Sequence, residues 1–272
     1  MLNFTTLTMN CFGVPTPTTR RRLRILSDAL NQLDADVVCL QEVQAHPYRR
    51  LLIKACTGYP HHAYTPFAHA PKGGLLTLSR HPITESRFVL YRTRGLWYTP
   101  ALADWILHKG VLFTHLQINE QPIVLMNTHL TANYSGDWSP KNRFAQQEWS
   151  QLQQLAELVN LQPADHLVMV AGDFNIPRGS WLSDQFLEQS GLIDPMAGNL
   201  QPTFRSWTGM PMRYAAAIDF NLVRVPPALK LNIESAFRFD NKVQAPTGRE
   251  LYLSDHTAIE VRLTSQPVAE VS

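Results

Sequence analysis

The chain has 272 residues, 44% of them hydrophobic and 17% charged, and its 24 basic and 22 acidic side chains leave a net charge of +2. A chain of this length and composition buries about three quarters of its unfolded surface, which excludes global disorder, while the near-balance of charge offers no support for obligate duplex binding. Three cysteines, Cys11, Cys39 and Cys56, with no Cys-x-x-Cys, exclude a disulfide scaffold and a zinc knuckle.

In chain order, Asn3 to Cys11 reads as a first strand, closed by the turn Gly13-Val14-Pro15-Thr16-Pro17. Thr18 or Thr19 is placed to cap a helix with Leu23, Leu26, Leu30 and Leu33 on one face. Val37 to Leu40 is a short apolar run of the buried-strand kind. Further strands are expected at Leu75 to Ser79, Val111 to Ile118, Ile123 to Thr128, Leu167 to Gly172, Ala217 to Val225 and Thr257 to Leu263. Helices are expected from Lys141 to Asn160, Arg49 to Cys56 and Trp181 to Ser190. Strands and helices alternate without a linker, which predicts one α/β domain over 1–264 and a loose tail over 265–272. The N-terminus shows no signal-peptide pattern and no apolar run approaches the ~18 residues of a membrane span, so the expected compartment is the cytoplasm.

Polar residues gather where the apolar strands run out. Asn10 ends the first strand, Gln41-Glu42 the second, Thr128-His129 a later one, and Asp173-Phe174-Asn175 follows Leu167 to Gly172. Asp219 sits within Ala217 to Phe220, and Ser254-Asp255-His256 precedes the last strand. Singly, each has a plain reading: a solvated cap for Glu42, a turn for Gly172-Asp173, a core histidine for His129, an Asx turn for Ser254 to His256. Six together at strand ends, where α/β sheets hold ligands, point to a site. Glu, Asp and Asn are hard oxygen ligands suited to Mg²⁺ or Mn²⁺ rather than Zn²⁺. No His-Glu-x-x-His, P-loop or Gly-x-Ser-x-Gly occurs, which excludes those zinc-protease, NTPase and hydrolase motifs. A hard cation with histidines and carboxylates suits attack of water on a phosphoryl centre.

Thr8-Met9-Asn10, Leu40 to Val43, Asn127 to Leu130, Gly172 to Asn175, Ile218-Asp219-Phe220 and Ser254-Asp255-His256 resemble, in order, the motifs of the endonuclease/exonuclease/phosphatase superfamily. The resemblance implies the DNase I-like fold, an α/β four-layer sandwich of two mixed sheets flanked by helices. It implies a metal site at Glu42, Asn10 and Asp255, with Mg²⁺ the expected cation and Mn²⁺ an alternative. It implies His256 as general base polarised by Asp219, His129 as a phosphoryl-oxygen donor, and Asp173 and Asn175 orienting water and phosphate. Within the superfamily, Asn10 to Pro15, Gly73 to Ile83, Lys109 to Leu112 and His129 to Tyr134 are similar to neutral sphingomyelinases. That likeness implies a phospholipid head group as substrate, with a nuclease or a phosphatase of the same superfamily as alternatives. It also implies that Asp104 and Lys109 set a loop near the phosphate, and that Asn133 and Tyr134 touch substrate. Arg143 either contacts phosphate or begins a helix. The segment Arg94 to His108, rich in Leu, Trp and Tyr, reads as an apolar flap at a membrane surface or as core. Arg20 to Arg22 reads as a solvated helix start, with a face toward anionic lipid as the alternative. No feature of the sequence bears on oligomeric state.

Overall fold

Two mixed β-sheets lie face to face, each covered on its outer side by a pair of helices. The computed structural model describes residues 1–95, 105–205, 215–245 and 248–266. The chain runs through β1 (Asn3–Asn10), α1 (Thr19–Asn31), β2 (Val37–Gln41), α2 (His46–Ala55), β3 (His61–Ala63), β4 (Leu76–Ser79), β5 (Ile83–Leu90), β6 (Gly110–Ile118) and β7 (Gln121–His129). It continues through α3 (Arg143–Asn160), β8 (Leu167–Asp173), α4 (Trp181–Ser190), β9 (Asp219–Arg224), β10 (Leu231–Arg238), β11 (Val243–Gln244), β12 (Glu250–Leu251) and β13 (Ala258–Ser265). One sheet has the order β10-β13-β1-β2-β4-β3, the other β5-β6-β7-β8-β9, and β11 with β12 forms a small ribbon. Each large sheet holds a single parallel pair, β1 with β2 and β7 with β8.

The layers follow from the two-residue alternation of strands. Leu7, Met9, Val38 and Leu40 point outward and bury the apolar faces of α1 and α2, including Leu23, Leu26, Leu30 and Leu52. Val124, Met126, Val168 and Val170 do the same under α3 and α4, against Leu152, Val159, Leu182 and Phe186. The opposite faces, Phe4, Val37 and Cys39 on one sheet and Ile123, Leu125, Leu167 and Met169 on the other, meet in the middle. Toward one end this inner layer turns polar. Gln41 Nε2 donates to Asn127 Oδ1 at 2.8 Å, and Thr6 Oγ1 lies 3.3 Å from Asn221 Oδ1, so hydrogen bonds join the sheets where apolar contact stops.

Several expected boundaries move. The helix expected from Arg49 begins at His46, with Pro47 in its first turn, a position proline favours because no intrahelical N–H is needed there. The helix expected from Lys141 begins at Arg143, because Asn142 accepts from Phe144 N and caps it. The last strand pairs Ser265 with Leu231, so the ladder passes the expected boundary at 264 by one residue. Strands β3, β5 and β10 carry no sequence expectation. Two of them, β5 and β10, are half-exposed sheet edges: β5 has four consecutive polar residues, Thr84 to Arg87, and β10 mixes polar and apolar residues, so neither shows a long apolar run. Among the described residues, no helix is long and apolar enough to cross a membrane.

Candidate active site

Strand direction and side-chain parity bring the polar residues together. The parallel pairs send the C-terminal ends of β1, β2, β7 and β8 to one end of the sandwich. Strands β9 and β13, antiparallel to β8 and β1, start at that same end. His129 is in register with Asp173, and Asp173 with Asp219, all on the inner face. Asn10 closes the gap from the facing sheet: its Nδ2 donates to Asp173 Oδ2 at 2.9 Å. Gly172 lies within β8 rather than in a turn, and a Cβ there would stand 1.9 Å from Thr128 O. The close approach of β7 and β8 beside His129 and Asp173 therefore requires glycine.

Glu42 is held by glycines on both sides. It leaves β2 in the left-handed region, φ 57°, and Val43 N donates to Gly74 O at 2.8 Å. A Cβ on Gly13 would lie 2.2 Å from Glu42 O, and one on Gly74, itself at φ 66°, would lie 3.3 Å from Glu42 Cα. The two glycine-bearing loops thus pack directly on the Glu42 peptide and aim its carboxylate inward. Its Oε2 is buried and has no hydrogen-bond partner. Burial pushes the Glu42 carboxyl above the ordinary range; His256 and Lys109 pull it back, and Asp255 pushes it further.

Asp173 is the hub. Its Oδ1 accepts from Asn175 N at 3.0 Å, while Oδ2 faces His129 Nε2 at 3.4 Å and His256 Nε2 at 3.7 Å. Asn175 adopts φ 55°, which asparagine tolerates, and its Nδ2 donates to Leu130 O at 2.9 Å. His256 Nδ1 lies 2.9 Å from Asp219 Oδ2, and since an ionised carboxylate only accepts, the proton sits on Nδ1. Asp219 is fully buried, and both its own N–H and that of Ile218 donate to Thr203 Oγ1. Burial raises the Asp173 carboxyl against the pull of His256. Burial alone would lower the His256 imidazolium, but Asp219 and then Asp173 overcome it and hold the group well above its usual range. His129 goes the other way: burial, then Lys109 and His256, keep it neutral.

The site is braced by residues that carry no motif. Arg22 Nη1 donates to Cys11 O at 2.7 Å and to Leu253 O at 2.6 Å, and its Nη2 reaches Phe12 O. It is therefore a brace between the β1 exit and the approach to β13, not a solvated helix start. Ser254 Oγ donates to Asn10 O at 2.6 Å and accepts from His256 N at 3.1 Å. Arg205 holds Ser254 O and Thr257 Oγ1, and Phe204 packs its ring 5.1 Å from that of His256. Single arginines and a lone Thr203 in irregular chain give no pattern to read.

The remaining expected residues divide. Lys109 is buried at 1% exposure, with Nζ donating to Leu130 O at 3.0 Å, so its charge acts on Glu42, His129 and Asp173 from within the protein. Asp255 is half-buried within electrostatic reach of Glu42 and Arg22. The Asn133 side chain ties its own loop to α3: Nδ2 donates to Asp137 O and to Glu148 Oε2, and Oδ1 accepts from Ser135 N, Ser135 Oγ and Gly136 N. Tyr134 is exposed and packs on Phe144. Arg143 is the first residue of α3, exposed, with its guanidinium 5.0 Å from the Phe144 ring. Asp104 lies outside the described residues, as does most of the expected apolar flap; Trp105 and Ile106 at its end are 43% and 46% exposed.

Within the site, among the described residues, the buried carboxylate oxygens Glu42 Oε2 and Asp219 Oδ1 have no hydrogen-bond partner. Among the described residues, the ligand atoms of Asp173, Asp219 and His256 lie within 4.8 Å of one another. A cation among those three would compete with the Asp219–His256 hydrogen bond. A cation at Glu42 would not, and there Asn10 and Asp255 add only oxygen ligands, the set a hard divalent ion takes. The residues fit Mg²⁺ or Mn²⁺ at Glu42 better than at the geometric triad.

A family model described as Endonuclease/Exonuclease/phosphatase family matches residues 7–256. The chain is 26% identical to the Homo sapiens protein named Sphingomyelin phosphodiesterase 2, over 94% of this chain and 63% of that one. It is 30% identical to the Saccharomyces cerevisiae protein named Inositol phosphosphingolipids phospholipase C, over 61% of this chain and 35% of that one. The match thus spans between about a third and two thirds of these relatives' length. Among solved structures, Sphingomyelinase C from Streptomyces griseocarneus superposes with a TM-score of 0.75 at 20% identity, covering 96% of this chain and 99% of that one. At that identity the likeness establishes the DNase I-like fold.

Proposed function

Because this chain belongs to the endonuclease/exonuclease/phosphatase family, we propose that it is a divalent-cation-dependent phosphodiesterase whose substrate is a phospholipid of the sphingolipid type. The observation that carries the chemistry is the His256–Asp219 pair, 2.9 Å apart and buried beside a carboxylate, Glu42, that has an unpartnered oxygen. The printed names of the relatives support the lipid class, and so does the exposure of Trp105 and Ile106 beside the site's Lys109 strand. The reading takes 1–264 as one catalytic unit, in peripheral contact with a membrane.

Glu42, Asn10 and Asp255 would hold the cation. When bound, such a cation supplies positive charge for the developing phosphoryl oxygens and, by repulsion, eases His256 toward its neutral form. Neutral His256 takes the proton of the attacking water at Nε2. Asp219 holds the Nδ1–H tautomer and stabilises the imidazolium that forms. Neutral His129 donates from Nε2 to a phosphoryl oxygen, and Asn175, fixed by Asp173 and Leu130, presents its amide beside it. Asp173 fixes the line of attack through Asn10 and the two histidines. Water adds to phosphorus, the P–O bond to the lipid alcohol breaks, the leaving oxygen takes a proton from solvent as His256 returns its own to solvent, and no covalent enzyme intermediate is required.

The test is a substrate panel with Mg²⁺: sphingomyelin, lysophosphatidylcholine, plasmid DNA and an inositol polyphosphate. Release of a phosphorylated head group from the lipids, with the plasmid intact, is the expected result. Plasmid nicking without lipid turnover would make the protein a nuclease, and release of inorganic phosphate from the inositol polyphosphate alone would make it a phosphatase.

A further inference from the structure

The outer surface of α1 and α2 carries a charge arrangement that the fold does not explain. These two helices hold seven of the chain's 24 basic residues and one of its 22 acidic ones, so the rest of the chain is net negative. Four of the seven, Arg20 and Arg24 on α1 and Arg50 and Lys54 on α2, are exposed and line a groove of about 500 Å³, with Pro47 and Leu51 between them. Among the described residues, no carboxylate lies within ion-pair range of these four.

The arrangement works against the helices. Arg20 and Arg24 are four residues apart, as are Arg50 and Lys54, and like charges at that spacing weaken a helix. Arg20 also stands in the first turn of α1, where the helix dipole disfavours cations, and neither helix has an acidic residue in its first turn. An anionic partner laid along the groove would remove each of these penalties. The two helices are fixed against each other and on the sheet through Leu23, Leu26, Leu30 and Leu52, so the four cations are held in place beforehand. Both helices begin at the site end of the sandwich: α1 follows the Asn10 strand end, and α2 follows the short loop after Glu42.

We propose that the α1–α2 groove is a docking surface for anionic phospholipid in a membrane. The choice of a membrane rests on the phospholipid reading of the site; the anionic chemistry does not. Single-stranded nucleic acid fits the groove less well, because Pro47 and Leu51 offer no aromatic face for base stacking. The occupant is the phosphate-bearing surface itself, with the four side chains reaching lipid phosphates and carboxylates, and the catalytic end tipped toward the same bilayer.

Vesicle sedimentation tests this directly. The full chain is mixed with phosphatidylcholine vesicles, with or without phosphatidylserine, at low and high salt. Wild-type protein should bind the serine-containing vesicles and release in high salt. The pairs Arg20→Glu/Arg24→Glu and Arg50→Glu/Lys54→Glu should each weaken binding by on the order of 25-fold or more, roughly fivefold for each cation lost, with the two added carboxylates weakening it further. A charge-matched control, Lys230→Glu/Arg249→Glu, should bind like wild type. Hydrolysis of a small soluble phosphodiester should be unchanged in all three, which separates docking from chemistry. Equal binding by wild type and the groove variants, an equal loss in the control pair, or binding of the groove to DNA in preference to vesicles would overturn the proposal.

Discussion

Replacing Asp219 by Asn removes one charge and almost no volume from the most buried part of the site. The amide oxygen can still accept from His256 Nδ1, so the ring keeps its tautomer, but the imidazolium loses its closest counter-charge. At the 2.9 Å separation, two unit charges in an effective dielectric of ~20 attract by about 6 kcal/mol. That is the ceiling of the effect. General-base contributions of about 10²- to 10⁴-fold correspond to about 3–5 kcal/mol, inside that ceiling. Asp219→Asn should therefore lower kcat/KM by that factor with little change in KM, and His256→Ala should do the same. Because both act on one proton transfer, the double variant should be scarcely worse than either single one. In chelator, the His256 resonance followed by NMR should titrate at lower pH in Asp219→Asn than in wild type, since the group holding it up is gone. Losses that multiply in the double variant, or an unchanged titration, would refute the pairing.

Two further predictions follow the same reasoning. Gly13→Ala should cost more stability than Gly58→Ala and should also abolish turnover, because its Cβ meets Glu42 O at 2.2 Å whereas that of Gly58 meets only Asn31 Oδ1, at an ordinary 3.5 Å; equal changes in Tm would contradict the packing argument. In chelator, stability should fall as pH rises from about 5 to about 9. Burial holds Glu42 and Asp173 above their usual range, and Asp219 and Asp173, overcoming burial, do so for His256. All three bind protons in the folded state that they release on unfolding, so each loses stability as pH rises; His129, lowered by burial, gives the opposite slope. The fall should be shallower in Glu42→Gln, and calorimetry showing a rise with pH in the wild type would contradict the assigned directions.

Central strands and the site set were the legible parts of this sequence. Val37 to Leu40 and Leu167 to Gly172 are buried on both faces, so they read as unbroken apolar runs. Asn10, Glu42, His129, Asp173, Asp219 and His256 announce themselves by standing where such runs end or begin; strand parity turns Asn10, His129, Asp173 and Asp219 inward, while the left-handed turn at Glu42 and the Ser254 loop before β13 bring in Glu42 and His256. Edge strand β5 opens with four polar residues after Ile83 and β10 mixes polar and apolar residues, so neither shows a strand period, and short β3 has too few residues to show one. Arg22 looked solvated because its helix starts at the surface, yet its side chain folds back onto Cys11, Phe12 and Leu253. Asn133 belongs to a recognisable motif, while its hydrogen bonds to Ser135, Asp137 and Glu148 tie its loop to α3, a role that no motif encodes. Thr203 and Arg205 brace the His256–Asp219 pair from a stretch with no regular structure, and only the coordinates reveal them.

The most direct measurement is head-group release from sphingolipid vesicles against Mg²⁺ concentration, for wild type and Glu42→Gln side by side, with Tm recorded for both. The buried, unpartnered Glu42 oxygen predicts saturable Mg²⁺-dependent turnover in the wild type and almost none in the variant. The variant's Tm should be equal or higher, because neutral glutamine relieves a buried charge. Turnover that persists in chelator, or a Glu42→Gln protein that works as well as wild type, would contradict the account.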